Sequence, residues 1–341
     1  MNTILNITYH NSEGGVKVSF INFAKTLKEF NYKVYNIVPN KKKFSNSLDN
    51  IISNPFVRYA RHVFSPFSTI YFFIILRILK PKFIFIHNGK LQKIIHLTKP
   101  KNCKVIGVNH GISYKKLFLA EHIITFNNKI KDEYLKNNFT NVSVIHHPLS
   151  YIPQNILPKN ITNKEQVVIG SLGRLDKEKG YEFFIDVIFE LHKILKQKFK
   201  VIIGGNGPLN NSLKTKIYSL NLEETIELLD WIENKEAFFK SLDIFCLPSK
   251  FEAYGLVVTE AMSYGIPVIA TNTPGPEFII QNEKNGLLVN YGNAKEFAEK
   301  ILYLINEKEE YKTISTNSIN FIKEHSTLEN FRKNLSDILF T

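Results

Sequence analysis

The chain has 341 residues, of which 44% are hydrophobic and two are cysteine. This length predicts two domains, and this composition excludes an intrinsically disordered chain. With only two cysteines and no Cys/His cluster at metal-ligand spacing, a disulfide scaffold and a zinc module are also excluded. Met1 leads directly into a short apolar run with no secretion signal, so we expect a cytoplasmic protein.

Positive charge is concentrated in the first half of the chain. Over residues 1–160, Lys and Arg outnumber Asp and Glu by 23 to 6, a net charge of +17, whereas the remaining residues carry a net charge of −4. A half this basic predicts contact with an anionic surface, either a nucleic acid or lipid headgroups. A solvated basic face is the alternative.

Short apolar runs alternate with helical patterns throughout the first half. Strands are predicted at residues 4–9, 33–38, 83–87, 103–108, 122–126 and 142–146. A helix is predicted between the first two strands, where apolar residues from Val16 to Phe30 recur at helical spacing. This alternation is typical of a parallel sheet with crossover helices.

One apolar segment interrupts the alternation. The fifteen residues between Arg61 and Arg77 contain no charged residue, and Pro66 lies near their start. A membrane-spanning helix needs about 20 apolar residues, which argues against one here. Because Arg58, Lys80 and Lys82 add to the flanking charge, the segment is either an interfacial helix in the headgroup plane or a buried crossover helix.

The second half repeats the same rhythm after a proline-containing linker at residues 151–163. Strands are predicted at residues 167–172, 201–203, 225–229, 244–247, 267–270 and 287–289, and helices from Gly180, Pro208, Gly255 and Asn293. The predicted fold is therefore α/β, with two Rossmann-like doubly wound domains facing each other across a cleft. Ligands of such sheets bind at the carboxyl ends of the strands.

Glycine-rich turns follow three of the predicted strands, at residues 13–15, 170–180 and 204–208. The second turn places Arg174, Lys177 and Lys179 beside backbone N–H groups at a helix start, which suits a diphosphate. A single glycine turn is usually structural, but three at equivalent places favour a binding edge. No G-x-x-x-x-G-K-[ST] or G-x-G-x-x-G motif supports a P-loop NTPase or a dinucleotide dehydrogenase.

Two glutamates, Glu252 and Glu260, form the sharpest signal. Glu252, with the backbone N–H groups of Ala253, Tyr254 and Gly255, can bind the hydroxyls of a polyhydroxylated ligand at a helix N-terminus. Glu260, inside that helix, suits the two hydroxyls of a ribose. The alternative makes Glu252 a favourable helix-terminal charge and Glu260 an exposed helix residue. The apolar neighbours of Glu260 argue against this alternative, since an unpaired carboxylate there would be costly.

Together these motifs resemble the family-4 retaining glycosyltransferases of the glycosyltransferase-B fold. The resemblance is specific over about residues 165–306 and looser over residues 1–160. It rests on Gly173-Arg174-Leu175, Lys179-Gly180, residues 204–208, Asp243 with Pro248-Ser249, the Glu252 and Glu260 pair, Gly265 with Pro267, and residues 285–289.

The resemblance implies four catalytic residues. Arg174 and Lys179 would bind the departing diphosphate, and Glu252 would contact hydroxyls of the donor sugar. His110 would reach the transferred sugar, although a lone histidine at a strand end is usually structural. The further donor-binding residues are Gly14, Gly15, Gly173, Gly205, Ala253, Tyr254, Gly255 and Glu260, with Glu260 on the nucleotide ribose.

The implied reaction is metal-independent transfer, with retention, of a hexose-type sugar from a nucleotide sugar, UDP being favoured. No D-x-D motif occurs, and no cofactor is expected. The basic first half and its apolar segment predict that the acceptor is a glycan or glycolipid of lipopolysaccharide or polysaccharide synthesis, met at the cytoplasmic face of an anionic membrane. Ala253-Tyr254 and Lys250 depart from the family pattern and leave the donor sugar open.

The predicted domains are residues 1–155 and 165–325, and the resemblance implies that a last helix, 326–341, packs back on the first domain. One alternative is a nucleotide-sugar epimerase of the same fold, which would need no acceptor. The other is a nucleic-acid-binding protein that uses the basic half, although no recognisable module is present and binding to nucleic acid is not expected.

Overall fold

The computed structural model describes residues 3–9, 14–53, 66–87, 89–111 and 113–340. Arg58 and Arg61, and Glu13 of the first glycine turn, lie outside the described residues. The chain divides into two compact units, Met1–Ser150 with Leu328–Thr341, and Tyr151–Thr327. Each unit contains one parallel sheet.

The sheet of the first unit has seven strands in the order β3-β2-β1-β4-β5-β6-β7. They are β1 (Thr3–Ile7), β2 (Lys33–Val38), β3 (Ile51–Ser53), β4 (Phe83–Ile86), β5 (Lys104–Asn109), β6 (His122–Thr125) and β7 (Val142–Val144). The helices between them are α1 (Gly15–Lys28), α2 (Pro66–Leu79), α3 (Gln92–Thr98) and α4 (Asn128–Lys136). The six predicted strands are present, whereas β3 is too short to leave a pattern in the sequence.

Helix α2 is apolar on two opposite faces. Phe72 and Leu76 are fully buried in the core, whereas Phe67, Ile70 and Ile78 are 73%, 57% and 68% exposed. The buried face agrees with the prediction of a crossover helix, and the exposed apolar face leaves the interfacial interpretation open. Within the described ranges, no helix is long and apolar enough to cross a membrane.

The sheet of the second unit has six strands in the order β10-β9-β8-β11-β12-β13. They are β8 (Gln166–Leu172), β9 (Lys198–Gly204), β10 (Ile226–Leu229), β11 (Ile244–Leu247), β12 (Val268–Thr271) and β13 (Leu287–Val289). Its helices are α5 (Tyr181–Ile194), α6 (Asn210–Ser219), α7 (Lys235–Ser241), α8 (Leu256–Ser263), α9 (Pro274–Ile279), α10 (Ala294–Asn306) and α11 (Lys308–His325). Strands β11 and β12 are buried throughout, as expected for a parallel sheet covered on both faces.

Helices α7, α9 and α11 are absent from the sequence prediction. Helix α7 has only seven residues and depends on a cap, since the Asn234 side chain accepts a hydrogen bond from the Ala237 N–H at 2.9 Å. A final helix, α12 (Leu328–Phe340), belongs to the first unit. There Phe331 packs edge-on against Phe23 of α1, with ring centroids 4.9 Å apart.

Candidate functional site

Each sheet reverses its strand order at one place, between β1 and β4 in the first unit and between β8 and β11 in the second. At such a switch point the loops after the two strands diverge, and ligands bind in the crevice at the carboxyl ends of the strands. In the second unit these loops are residues 173–180 and 248–255. They contain the residues predicted to bind the diphosphate and the sugar.

A charged pair spans the switch point of the second unit. The Nζ atom of Lys179 donates a hydrogen bond to Oε2 of Glu252 at 2.6 Å. The two side chains are 26% and 13% exposed. The loops are also joined through the backbone, since the N–H of Phe251 donates to the carbonyl of Glu178 at 3.2 Å. The structure therefore brings together the predicted diphosphate-binding cation and the predicted sugar-binding carboxylate.

Asp176 shapes the loop that carries Lys179. Its carboxylate accepts hydrogen bonds from the N–H groups of Glu178 and Lys179, at 3.0 and 3.3 Å, and caps the single 3-10 turn Lys177–Lys179. It also accepts a hydrogen bond from Nε of Arg174 at 2.5 Å. Arg174 thus lies on the predicted loop, with a side chain that is 71% exposed. Asp176 was not predicted from the sequence, although an Asp just before a turn is a common N-cap signal.

The glycines at this edge permit close contact between loops. Gly205 has a φ of 140°, and a Cβ atom there would lie 1.9 Å from the carbonyl oxygen of Gly173. Gly180 has a φ of 69°, and a Cβ atom there would lie 2.0 Å from the carbonyl oxygen of Pro248. Neither site accommodates a side chain. Close packing therefore explains both glycines. At Gly180 it also holds the loop of Lys179 against the loop of Glu252.

Glu260 lies in α8 and is paired with Lys235, the first residue of α7. The Lys235 Nζ atom donates to both carboxylate oxygens, at 2.7 and 2.9 Å, and the Glu260 side chain is 23% exposed. The carboxylate of Glu260 is thus paired, in a position where an unpaired charge would be costly. Lys235 was not predicted from the sequence because no local pattern connects two residues 25 positions apart.

The loop between Glu252 and α8 presents mainly backbone. Gly255 is the N-cap of α8 in a left-handed conformation, with φ at 92°. Tyr254 is buried, and a Cβ atom at Gly275 would lie 2.3 Å from its Cα atom. The N–H of Gly275 donates to the carbonyl of Glu252 at 3.0 Å, which ties the loop to the start of α9. Ala253 is partly exposed.

The predicted glycines of the first unit lie at the start of α1. Gly14 is its N-cap, with φ at 134° and ψ at −172°, a conformation that favours glycine, and Gly15 is its first residue. Among the described residues, no atom lies within 4 Å of a Cβ atom placed at Gly14. The backbone conformation requires this glycine, whereas close packing requires Gly205.

His110 is part of a hydrogen-bonded chain at the carboxyl ends of three adjacent strands. Its Nε2 atom lies 2.9 Å from Nδ1 of His87, the residue after β4, and Nε2 of His87 lies 2.8 Å from Oδ1 of Asn6 in β1. His87 and Asn6 are buried, and His110 is partly exposed. His87 and Asn6 were not predicted from the sequence, because only the pairing of β1 with β4 brings them together.

A second histidine packs close to His110. The His147 ring lies 6.0 Å from the His110 ring, at an interplanar angle of 14°, and stacks on Phe126 with centroids 3.5 Å apart. Burial, and then the charges that His110 and His146 can carry, hold the pKa of His147 well below its usual range. His147 is therefore neutral at neutral pH.

The sequence predicts no metal site in either unit. In the part of the chain that the structure describes, no group of three or more His, Cys, Asp or Glu side chains is arranged to hold a metal ion. The two loops at the second switch point carry four basic side chains, Arg174, Lys177, Lys179 and Lys250.

Residues 154–321 match the family model described as glycosyl transferases group 1. The match covers 168 of the 341 residues, just under half of the chain. An uncharacterized glycosyltransferase of Haemophilus influenzae is 31% identical over 171 residues, which are 49% of this chain and 47% of that protein. The capsular polysaccharide biosynthesis glycosyltransferase CapM of Staphylococcus aureus is 28% identical over 242 residues, 69% of this chain and 54% of CapM. The chain thus spans about half the length of each relative.

Two solved structures resemble the whole chain. The lipopolysaccharide outer core galactosyltransferase WaaB matches with a TM-score of 0.81 at 19% identity, over 100% of this chain and 99% of WaaB. Anabaena HepE, in complex with UDP and glucose, matches with a TM-score of 0.81 at 16% identity, over 99% of each chain. At these identities the likeness shows the fold, two Rossmann-like halves of the glycosyltransferase-B kind.

The part of the chain that matches the family model contains the charged pair of Lys179 and Glu252 and the pair of Lys235 and Glu260. His110 and the glycines at the start of α1 precede it. The predicted site residues are thus divided between the matched domain and the unit before it.

Proposed function

We propose that the chain transfers a hexose-type sugar, with retention and without a metal ion, from a nucleotide sugar to a glycan or glycolipid. UDP is the favoured nucleotide. Support comes from the group 1 domain and from the names of similar proteins, which include enzymes of capsular polysaccharide and lipopolysaccharide synthesis and one structure with UDP and glucose. The observation that carries the proposal is the contact between Lys179 and Glu252 at the switch point.

This pair suits the charge changes of sugar transfer. As the bond between sugar and diphosphate lengthens, the sugar gains oxocarbenium character and the diphosphate gains negative charge. Lys179 stabilises the diphosphate, and Glu252 accepts hydrogen bonds from sugar hydroxyls. Before the donor binds, each charge neutralises the other, so neither is left unpaired in a partly buried position. Donor binding replaces this ion pair with two contacts to the ligand.

The test of the proposal is transfer from a panel of nucleotide sugars to lipid-linked and glycan acceptors. We expect Lys179→Met and Glu252→Gln to lower kcat by about 100-fold or more, because each removes a charge that acts on the transition state. Lys193→Met is the matched control, since Lys193 also pairs with a glutamate, Glu190, at 2.7 Å, but on the exposed face of α5. Equal effects of Lys179→Met and Lys193→Met would contradict the proposal. Product analysis without an acceptor separates transfer from epimerisation.

We also propose that the first unit binds to the cytoplasmic face of an anionic membrane. The exposed face of α2 carries Phe67, Ile70, Ile74 and Ile78, which follow one another at helical spacing. No Asp or Glu occurs between Asp49 and Glu121, so all Lys, Arg, Asp and Glu residues that flank this helix in the sequence are basic. An apolar face flanked by basic residues is suited to the boundary between headgroups and acyl chains.

Vesicle sedimentation tests the membrane contact. We expect binding to vesicles that contain phosphatidylglycerol and weak binding to pure phosphatidylcholine. The double variant Ile70→Ser/Ile74→Ser should weaken this binding, whereas Leu97→Ser, which alters a 75% exposed leucine on α3, should not. Reversing the charge of Lys80 and Lys82 should remove the preference for anionic lipid. Unchanged binding in all of these variants would exclude this face.

A further inference from the structure

The side chains behind His110 form a directional hydrogen-bonded chain. Asn36 in β2 donates from Nδ2 to the backbone carbonyl of Asp49 at 3.1 Å, and its Oδ1 accepts from Nδ2 of Asn6 at 3.1 Å. Nδ2 of Asn6 also donates to the backbone carbonyl of Phe20 at 3.2 Å. Asn6 and Asn36 are directly paired residues of two parallel strands, and both are fully buried.

Two backbone carbonyls fix the orientation of both amides. A carbonyl oxygen only accepts hydrogen bonds, so the group facing Asp49 must be the NH₂ of Asn36, and the group facing Phe20 must be the NH₂ of Asn6. A flipped amide would bring two acceptor oxygens together in a buried place, at a cost of about 1–3 kcal/mol. The Oδ1 atom of Asn6 therefore faces His87.

This orientation determines the proton positions on both imidazoles. Because Oδ1 of Asn6 only accepts, Nε2 of His87 carries a hydrogen and donates it. In a neutral His87 ring, Nδ1 then carries the lone pair and accepts a hydrogen bond from Nε2–H of His110. The two ring planes lie within 17° of each other, with centroids 5.2 Å apart, which is compatible with an N–H···N bond in the plane of both rings. In neutral His110, Nδ1 is the nitrogen that carries the lone pair.

We propose that His87 is a positioning residue that holds His110 in the Nε2–H tautomer and fixes the plane of its ring. His87 is itself held by T-shaped contacts with Phe20 and Phe23, at centroid distances of 5.1 and 4.9 Å. The fixed tautomer makes His110 a hydrogen-bond acceptor, through Nδ1, for a hydroxyl of the substrates. Only this last step rests on the proposed function, because it requires that His110 contact a sugar or acceptor.

Imidazole nitrogen NMR tests the tautomer without any enzyme assay. Protein labelled with ¹⁵N-histidine is examined above the pH at which His110 protonates, and its signals are assigned from their loss in His110→Gln. We expect protonated Nε2 and unprotonated Nδ1 in the wild type, and a mixture of tautomers in His87→Phe, which keeps an aromatic ring but removes both nitrogens. Nδ1–H in the wild type, or an unchanged tautomer in His87→Phe, overturns the proposal.

Kinetics test the positioning role. His87→Phe should lower kcat about 10- to 100-fold with little change in the KM of the donor, and His87→Gln should recover most of the loss because an amide can donate to Asn6 and accept from His110. A tautomer change with unchanged kcat overturns the positioning role. If the wild type transfers no sugar, the proposed function fails, while the spectra still decide the tautomer. If His87→Phe does not fold, His87→Leu replaces it.

Discussion

The Nζ atom of Lys179 and the Oε2 atom of Glu252 lie 2.6 Å apart, and they belong to loops that follow the two strands flanking the switch point of the second sheet. The pair is partly buried, and each side chain is the ion-pair partner of the other. A ligand that supplies an anion to Lys179 and hydroxyl donors to Glu252 replaces both halves of this interaction. The two residues should therefore respond differently to different parts of the same donor.

Binding of UDP and of a UDP-sugar should separate these two roles. Lys179→Met should lower the affinity for UDP and for the UDP-sugar by similar factors, because both ligands contain the diphosphate. Glu252→Gln should leave UDP binding unchanged or tighter, since a negative charge near the phosphates is removed, and should abolish the added affinity that the sugar provides. Isothermal titration calorimetry measures both affinities. Equal loss of UDP binding in the two variants would contradict this division of roles.

Glu260 should govern recognition of the nucleotide. The panel consists of UDP, GDP, ADP and CMP. We expect one of the nucleoside diphosphates to stabilise the protein by about 2.7 kcal/mol at 100 times its Kd. Glu260→Ala should reduce this stabilisation because a carboxylate that holds two ribose hydroxyls is lost. Lys235→Met is the matched control, since it removes the present partner of Glu260 but keeps the carboxylate.

Thermal unfolding with each nucleotide measures these changes. Nucleotide binding that persists in Glu260→Ala but is lost in Lys235→Met would reverse the assignment and make Lys235 the binding residue. Absence of stabilisation by every nucleotide, well above micromolar concentration, would argue against a donor site in this unit.

The architecture could be predicted because buried parallel strands leave continuous apolar runs. Strands Ile244–Leu247 and Leu287–Val289 occur at the predicted positions, and α5 begins immediately after Gly180 as the turn predicts. Helix α9 was harder to predict, since it has only six residues and two of them are proline. Short elements of this kind depend on caps and tertiary packing more than on periodicity.

The candidate site could be predicted only where its residues lie in turns. Lys179 and Glu252 lie in loops whose glycines mark strand ends, so their proximity follows from the topology. Lys235, His87 and Asn6 were missed because their partners are distant in sequence and are set by strand register and helix packing. Local sequence therefore predicts the groups most exposed to a ligand better than the groups that hold them in place.

Two glycines with positive φ should differ in their tolerance of alanine. At Gly205 a Cβ atom would lie 1.9 Å from the carbonyl oxygen of Gly173, whereas at Gly292, with φ at 94°, it would have no atom within 4 Å. We expect Gly292→Ala to cost about 1 kcal/mol from backbone strain alone, and Gly205→Ala to cost more, because the loops must also separate. Urea unfolding measures both, and equal costs would contradict the packing argument.

Stability should fall on acidification because of His147. Its pKa is depressed in the folded protein, whereas in the unfolded chain it lies near its ordinary value of about 6.5. Below that value the unfolded chain binds a proton that the folded protein excludes, so stability is lost as the pH falls, by up to about 1.4 kcal/mol per pH unit. Above about pH 6.5, His147 adds no pH dependence to the free energy of unfolding. His122, whose pKa is also lowered, chiefly by burial, adds to the same trend.

Urea unfolding at pH 7.5 and pH 5.5 measures this loss. His147→Gln does not titrate, so we expect it to lose about 1 kcal/mol less stability than the wild type between these values. His96→Gln, which replaces an exposed histidine of α3, is the control and should follow the wild type. An equal loss of stability in His147→Gln and the wild type would show that His147 accepts a proton in the folded protein, and would contradict the depressed pKa.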